Sequence, residues 1–353
     1  MNLPSVYLDY SDEVVIEKIR QAKRELGSSV TILGHYYQRD EVIQFADFQG
    51  DSLELSRQAA RATLAKYIVF CGVTFMSETA AILCQPGTTV IQPAAVALCP
   101  MAQMANVDDV EAAWRALETI WPDDVIPITY QNSTADVKAF VGQRDGAVCT
   151  SSNAGKLFKW AFAKHGHILF IPDEHLGTNT ALALGLANEE IGLWDPLEPP
   201  TPQTLLPCRV VVWKGYCHVH THFTVQDIER ARQQHPQSLI VVHPECPHKV
   251  VAMSDVVGST SAIIQAVVQA PIGAVIYIGT EWHLVNRLTQ QHPDKLILPL
   301  RRSVCSTMAM TTMRHLLYAL DSIIAGQPVG VIQVGEETAR WARVALERML
   351  EAS

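Results

Sequence analysis

The chain has 353 residues, of which 48 % are hydrophobic and 18 % are charged, a composition typical of a well-buried globular protein of two or three domains. Its net charge of −9 and lack of a basic block argue against nucleic acid or an anionic membrane surface as partners, although small anions can bind at helix N-termini. The start "MNLPSVYLDYSDE" has no apolar signal-peptide core, and no apolar run approaches the roughly 20 residues of a transmembrane helix. We therefore expect a soluble, cytoplasmic protein.

Strand-like runs rich in Val and Ile alternate with helix-like stretches, which predicts α/β architecture with parallel sheets. The first unit runs through strand "VTIL", "GHYYQ", helix "DSLELSRQAARATLA", strand "YIVFC", "GVTFMSETAAIL" and strand "TTVIQ". The second repeats this order with "VIPIT", "YQN", helix "STADVKAFV", "AVCT", "SSNAG", helix "KLFKWAF" and "HILFI". The third has "LIVV", "HPE", "DVV", "GSTS", helix "AIIQAVV" and "AVIYIG". Apolar residues at helical spacing in "EETARWARVALERMLEAS" predict a C-terminal helix packed on the body.

Each unit ends its first strand on a polar side chain and its second strand on small or hydroxyl-bearing residues. Ligands of parallel sheets bind beyond the carboxyl ends of the strands, where helix N-termini point donors outward. The strand ends are therefore the predicted site, and the apolar strands are its scaffold. The first-strand ends are His35, Tyr130 and His243, and the second-strand ends are residues 72–74, 150–152 and 258–260.

Eight cysteines are scattered along the chain without a CxxC pair, unlike a disulfide framework. One cysteine follows each unit, namely Cys99, Cys217 and Cys305, and these thiols could meet if the units surround a common axis. On the pattern alone, the alternative of an ordinary α/β protein with coincidental cysteines stays open. The other five are expected to be buried thiols: Cys71, Cys84, Cys149, Cys208 and Cys246.

Eleven segments occur in the order "GHYYQ", "GDSLELSR", "GVTFMSETAAIL", "ALCPMAQM", "YQNSTADVKA", "CTSSNA", "PDEHLG", "GYCHVH", "VVHPEC", "DVVGSTSAI" and "CSTMAM". Together they resemble the quinolinate synthase family, the A protein of bacterial NAD biosynthesis. The resemblance covers about residues 28–312, and although each segment alone is weak, eleven in register are highly specific.

The resemblance implies three similar parallel-sheet α/β/α domains around a pseudo-threefold axis, with a C-terminal helix packed on the body. The implied domains are residues 1–103, 104–217 and 218–305, with the C-terminal segment 306–353 packing on the first of them.

The resemblance also implies a [4Fe–4S] cluster held by Cys99, Cys217 and Cys305, the three cysteines that follow the repeated units. Three thiolates leave one iron without a protein ligand, and that iron can act as a Lewis acid. Many family members carry a CxxCxxC run ending at the third ligand, but this chain has Pro299 and Arg302 at the two extra positions. A local redox switch is therefore not expected here.

Family members condense iminosuccinate with dihydroxyacetone phosphate to quinolinate, releasing phosphate and water, and pathway logic assigns the supply of iminosuccinate to L-aspartate oxidase or aspartate dehydrogenase. The implied catalytic residues are Glu245 as principal base, Tyr37 in proton transfer, and His220 and His243 as acid or orienting partners. The residues matching substrate-binding positions are His35, Ser52, Tyr130, Asn132, Ser151, His243, Glu245 and Thr260.

Simpler interpretations exist for several of these residues. His35 could only cap a helix, Ser52 could be an ordinary first-turn residue, and Ser133 could cap a helix after an ordinary turn at Tyr130 and Asn132. The hydroxyl-bearing loops could likewise act only as helix caps.

The tract "HVHTHF" at residues 218–223 resembles a zinc site, because histidines two apart on a strand share one face. The family match instead favours a role for His220 alone, with His218 and His222 structural or facing solvent. A zinc hydrolase and a non-catalytic iron–sulfur sensor of a small dicarboxylate are thus the alternative functions.

Overall fold

The computed structural model describes residues 3–352, which form three parallel β-sheets with helices connecting their strands. The predicted α/β architecture with a C-terminal helix is therefore confirmed. The strands are β1 (Val30–His35), β2 (Phe48–Gly50), β3 (Tyr67–Cys71), β4 (Thr89–Ile91), β5 (Val125–Tyr130), β6 (Ala147–Cys149), β7 (His167–Ile171), β8 (Ile191–Trp194), β9 (Val210–Trp213), β10 (Leu239–Val242), β11 (Val256–Val257), β12 (Val275–Gly279) and β13 (Leu296–Pro299). The α-helices are α1 (Ser5–Leu8), α2 (Asp12–Leu26), α3 (Asp40–Ile43), α4 (Ser52–Arg61), α5 (Thr74–Leu83), α6 (Val107–Ile120), α7 (Ala135–Gln143), α8 (Ala154–Phe162), α9 (Glu174–Ala183), α10 (Pro202–Leu205), α11 (Val225–Gln234), α12 (His248–Val251), α13 (Thr260–Gln269), α14 (Trp282–Gln291), α15 (Met313–Ile324) and α16 (Glu336–Glu351).

The three sheets share one strand order. The first is β2-β1-β3-β4 and the third is β11-β10-β12-β13, while the second is β6-β5-β7-β9-β8, which adds one edge strand. All the neighbouring strands pair in parallel. The repeat inferred from the sequence is thus a repeat of sheet topology, and the carboxyl ends of the paired strands within each sheet lie along one edge.

The strand order corrects one equivalence in the predicted repeat. The short strand β2 holds the place in the first sheet that β6 and β11 hold in the others. The first-sheet counterpart of the loops at 150–152 and 258–260 is therefore the segment at Asp51 and Ser52, not residues 72–74. The sequence hid this strand because "FQG" is only three residues long and two of them are exposed.

Residues 3–99 and 304–335 form one compact unit, and residues 100–303 and 336–352 form another. The first unit holds the first sheet, with α2 packed against α15, and the second unit holds the other two sheets. The division into three domains at the predicted boundaries and the pseudo-threefold axis stay predictions. No helix within residues 3–352 is both long enough and apolar enough to cross a membrane.

Helix α16 packs on α7 and β6 of the second sheet. Its Arg348 donates from Nη1 to the carbonyl of Gly146 at 2.6 Å, and the carbonyl of Met349 accepts from Nδ2 of Asn153 at 3.2 Å. The expected packing of the whole segment 306–353 on the first domain is therefore corrected for α16. The physical reason is that its apolar face is buried against the second sheet through Ala342, Ala345, Leu346 and Met349.

Replacing Gly142 with alanine should separate α7 from α16, because a Cβ at Gly142 would overlap the carbonyl oxygen of Trp341. We expect Gly142→Ala to destabilise the protein by about 1–3 kcal/mol, the usual effect of overpacking. The control is Gly155→Ala on α8, where no atom of the described residues lies within 4 Å of an added Cβ. That variant should be neutral or up to about 1 kcal/mol more stable, since alanine is the better helix former. Equal melting temperatures for the two variants would contradict this packing.

Candidate active site

The first-sheet site residues lie at the carboxyl ends of β1 and β2. His35 ends β1 and pairs in register with Gly50, two residues before Ser52. The backbone N–H of Tyr37 donates to Nδ1 of His35 at 3.1 Å, and the two rings meet edge to face with centroids 4.8 Å apart. The strand pairing therefore brings His35, Tyr37 and Ser52 to one edge of this sheet.

Ser52 is the first residue of α4, but it does not cap that helix. The cap is Asp51, whose carboxylate accepts from the N–H groups of Leu53 and Glu54 at 3.0 Å each. The hydroxyl of Ser52 is thus not needed for capping.

The second and third sheets bring four of the predicted residues into direct contact through the ends of β5, β6 and β10. Tyr130 ends β5, and Ser151 follows β6, which pairs with β5. Nε2 of His243 lies 3.2 Å from Oγ of Ser151, and the hydroxyl of Tyr130 donates a hydrogen bond to Glu245. The backbone N–H of Glu245 donates to Nδ1 of His243 at 3.3 Å, which leaves Nε2 to donate to Ser151.

Glu245 forms a close pair with His220, which lies on the turn after Cys217. Nδ1 of His220 is 2.5 Å from Oε2 of Glu245, and both side chains are almost fully buried. Nε2 of His220 is 3.1 Å from the hydroxyl of Thr280, so the two ring nitrogens face a carboxylate on one side and a hydroxyl on the other. The His220 and His243 rings stack with centroids 4.3 Å apart.

Two buried carboxyl groups in this region, those of Glu245 and Asp173, have pKa values shifted in opposite directions. Burial raises the pKa of Glu245, but His220 and His243, together with hydrogen bonds from His220 and Tyr130, lower it to about 2 overall. Burial and the negative charge of Glu245 raise the pKa of Asp173 well above its ordinary value. Glu245 is therefore ionised at neutral pH, whereas Asp173 holds its proton more tightly than an ordinary aspartic acid does.

Asn132 and Thr260 also lie just beyond strand ends, after β5 and β11. Oδ1 of Asn132 is buried with no hydrogen-bond partner in the described part of the chain. Thr260 is the first residue of α13, which Ser259 caps by accepting from Ala262. The suggestion that Ser133 caps α7 is wrong. Thr134 caps that helix, and Ser133 donates to the carbonyl of Tyr130 at 2.9 Å.

The eight cysteines fall into two groups that differ in solvent exposure. The three predicted cluster ligands, Cys99, Cys217 and Cys305, are partly exposed, and the other five are buried. Burial raises the pKa of four of those five, which keeps them as thiols at neutral pH; they are Cys71, Cys149, Cys208 and Cys246.

Cys217 also lies beside the pair of Glu245 and His220. Its Sγ and one donor atom each of His220 and Glu245 lie within 4.8 Å of one another. The geometry follows from a turn, in which the N–H of His220 donates to the carbonyl of Cys217 at 3.1 Å. The turn also argues against a zinc site in "HVHTHF". That prediction required the histidines to share one face of a strand, but residues 218–222 are not a strand, and His222 is exposed.

Asp173 and Thr280 are site residues that the sequence reading missed. Asp173 follows β7 and caps α9, and Thr280 follows β12. These are equivalent strands of the second and third sheets. The sequence analysis looked for polar residues at the ends of the first two strands of each unit. The same search at the end of the third strand would have found both residues.

Comparison with known sequences identifies the family of this chain. Residues 17–351 match the model of the family described as NadA, quinolinate synthetase A protein. The chain belongs to the quinolinate synthase family. Curated quinolinate synthases of Bacillus pumilus and Anoxybacillus flavithermus are each 47 % identical over 352 residues, covering 99 % of this chain and 95 % and 96 % of theirs. The one from a Nocardioides species is 49 % identical over 353 residues, covering 96 % of this chain and 90 % of its own.

Among solved structures, an acyclic imino acid reductase in complex with NADPH and D-Arg covers 92 % of this chain and 97 % of its own, at 13 % identity. Its TM-score of 0.20 is too low to inform fold or function. The quinolinate synthase family does inform function, because the matches run over nearly the full chain. The chain is an enzyme with quinolinate synthase function in NAD biosynthesis. Membership therefore favours the synthase over the sensor and the zinc hydrolase.

Asp173→Asn should stabilise the protein increasingly as the pH rises. The unfolded carboxyl ionises near pH 4, whereas the pKa of the folded one is raised, so wild-type stability falls as the pH rises between the two pKa values, by about 1.4 kcal/mol for each pKa unit of difference. Asparagine does not titrate, and it can still cap α9 by accepting from Leu176. The measurement is the melting temperature of the anaerobic proteins between about pH 3 and 8.

Asp195→Asn is the control of opposite sign, because its hydrogen bond with Lys214 lowers the pKa of Asp195. Its stabilising effect is present above the unfolded pKa and is lost as the pH falls through the folded pKa. This variant should therefore be the less stable protein at neutral pH, with a deficit that shrinks in acid. A pH-independent difference for Asp173→Asn would show that Asp173 is ionised in the native protein.

Proposed function

We propose that the enzyme condenses iminosuccinate with dihydroxyacetone phosphate, and that Glu245 and His220 carry the proton transfers. The observation that supports this most directly is the buried, ionised carboxylate of Glu245 at 2.5 Å from Nδ1 of His220. Oε1 of Glu245 is buried and has no hydrogen-bond partner within residues 3–352. A buried acceptor of this kind can take a proton from a substrate.

The proton then has a defined route at the Glu245 end of the site. Oε1 receives it from a substrate carbon or nitrogen, while Oε2 stays bonded to His220. The hydroxyl of Thr280 contacts the far side of the imidazole and fixes the ring beside Glu245. Tyr130 stabilises the carboxylate before transfer, and we assign proton transfer at the first-sheet edge to Tyr37 beside His35.

We propose that backbone and hydroxyl donors at the strand ends bind the anionic groups of the substrates. Ser52 and Thr260 each open a helix of ten residues, where N–H groups and the helix dipole favour negative charge. Ser151, through its contact with His243, and Asn132 and His35 complete the proposed set. Such donors explain how a chain of net charge −9 can bind two anionic molecules. Supply of iminosuccinate by L-aspartate oxidase or aspartate dehydrogenase belongs to the same proposal.

Cys99, Cys217 and Cys305 are the residues we propose to hold a [4Fe–4S] cluster. Their fit rests on exposure, since these three are the cysteines that are not buried, while burial keeps most of the others protonated. When bound, a cluster with three thiolate ligands supplies an open iron that acts as a Lewis acid toward a substrate oxygen. The closeness of Cys217 to His220 and Glu245 would keep proton transfer beside that iron.

Alanine at Cys99, Cys217 or Cys305 should abolish both the cluster and quinolinate formation. Each variant loses one of three thiolates. The measurement is the iron content of the anaerobic protein, together with its absorption at about 400 nm. Cys71→Ala and Cys149→Ala are the controls, because both thiols are buried in strands, and these variants should keep the iron. Full iron content in any of the three ligand variants would refute the assignment.

Glu245→Gln should keep the fold and the iron but lose quinolinate formation. Glutamine preserves the shape and cannot accept a proton, and general bases typically contribute about 10²–10⁴-fold. The measurement is anaerobic turnover, with Glu174→Gln as a partly buried control carboxylate. Near wild-type turnover of Glu245→Gln would move the base elsewhere, with His220 as the next candidate.

A further inference from the structure

The loop that carries Glu245 is held by the side chain of Asn179 on α9. Nδ2 of Asn179 donates to the carbonyl of Pro244 at 2.8 Å and to the carbonyl of Cys246 at 2.9 Å. These two residues flank Glu245 in the chain. One amide group therefore fixes the backbone on both sides of the carboxylate, from a helix of the second sheet to a loop of the third.

The amide of Asn179 can adopt only one orientation. Carbonyl oxygens only accept hydrogen bonds, so the group that faces Pro244 and Cys246 must be the NH₂. Oδ1 then faces Nδ1 of His248 at 2.9 Å, and that ring nitrogen must donate. His248 begins α12, which follows the Glu245 loop and packs on α9.

Few backbone hydrogen bonds hold this loop. The N–H of His243 donates to the carbonyl of Gly279 at 3.2 Å, and the N–H of Cys246 donates to the carbonyl of His243 at 3.0 Å. Neither the carbonyl of Pro244 nor that of Cys246 accepts a backbone N–H of the described residues. Asn179 is only 7 % exposed, so solvent cannot readily replace its two donors.

We propose that Asn179 is a positioning residue, which sets the backbone of Glu245 so that its carboxylate meets His220 and the substrate in the productive geometry. The proposal rests on the proposed role of Glu245 as the base. A displacement of about 1 Å at a reacting group can cost on the order of 10²-fold in rate. Losing both donors would free the loop on each side of Glu245 without touching the reacting atoms.

The test is a double-mutant cycle of Asn179→Ala and Glu245→Gln, with kcat, KM and iron content measured anaerobically. Asn179→Ala alone should lower kcat by about 10–100-fold, with KM and iron close to those of the wild type. In the Glu245→Gln background, Asn179→Ala should cost little more, because the group it positions is already gone. Asn179→Gln, which keeps an amide, should recover part of kcat.

Ser322→Ala is the matched control for a buried side chain with two backbone hydrogen bonds. Ser322 is also 7 % exposed, donates to the carbonyl of Ala319 at 2.6 Å and accepts from Val329 at 3.1 Å, all within the first unit. This variant should lose thermal stability and keep kcat. A drop in kcat comparable to that of Asn179→Ala would show that any such loss of stability lowers activity, and would overturn the proposal.

The remaining outcomes separate this proposal from the role of Glu245. Near wild-type turnover of Glu245→Gln would refute that role, and the positioning proposal with it. If Glu245→Gln loses turnover while Asn179→Ala keeps kcat, only the positioning proposal fails. It also fails if Asn179→Ala lowers kcat by the same factor in both backgrounds, because the two residues then act independently.

Discussion

The contact between the carboxylate of Glu245 and the imidazole of His220 is the interaction on which the arrangement of strand ends in the second and third sheets depends. A carboxylate that is 2 % exposed loses nearly all its water, a cost of several kcal/mol unless donors replace the solvent. The groups that replace the solvent come from separate segments, with His220 on the turn after β9 and Tyr130 at the end of β5. An ionised Glu245 therefore requires both sheets to be in place.

Much of the fold follows from local pattern, because β-branched apolar runs and polar strand ends occur in the same order in each unit. A local pattern does not show which element a buried face packs against. The apolar stripe of α16 predicts a buried face, yet only the tertiary fold shows that this face lies on α7, where Gly142 lets two helix backbones approach closely. The strand β2 was missed for a similar reason, since three residues carry too little pattern and its pairing with β1 is what defines it.

The same limit applies to the predicted site, where the sequence identifies residues but not the contacts between them. Family resemblance named Glu245, His220, His243 and Ser151 one by one, but their contacts depend on loops that lie up to 92 residues apart in the chain. No motif assigned a role to Asn179, because its side chain binds backbone carbonyls of another loop. A residue of that kind has no chemical signature in the sequence, and hydrogen-bond geometry is the observation that reveals it.

Asp173 and Glu245 illustrate how an acidic protein can present a site to anions. Two ionised carboxylates in one buried region would repel each other and any anionic substrate. The histidines and Tyr130 keep Glu245 charged, and burial together with that charge raises the pKa of Asp173. Asp173 still accepts from the N–H of Leu176 at 2.6 Å as the cap of α9, the helix that carries Asn179. The carboxyl that caps the helix holding the Glu245 loop is thus the harder of the two to ionise, which favours placing the negative charge of the region on the group proposed to act as the base.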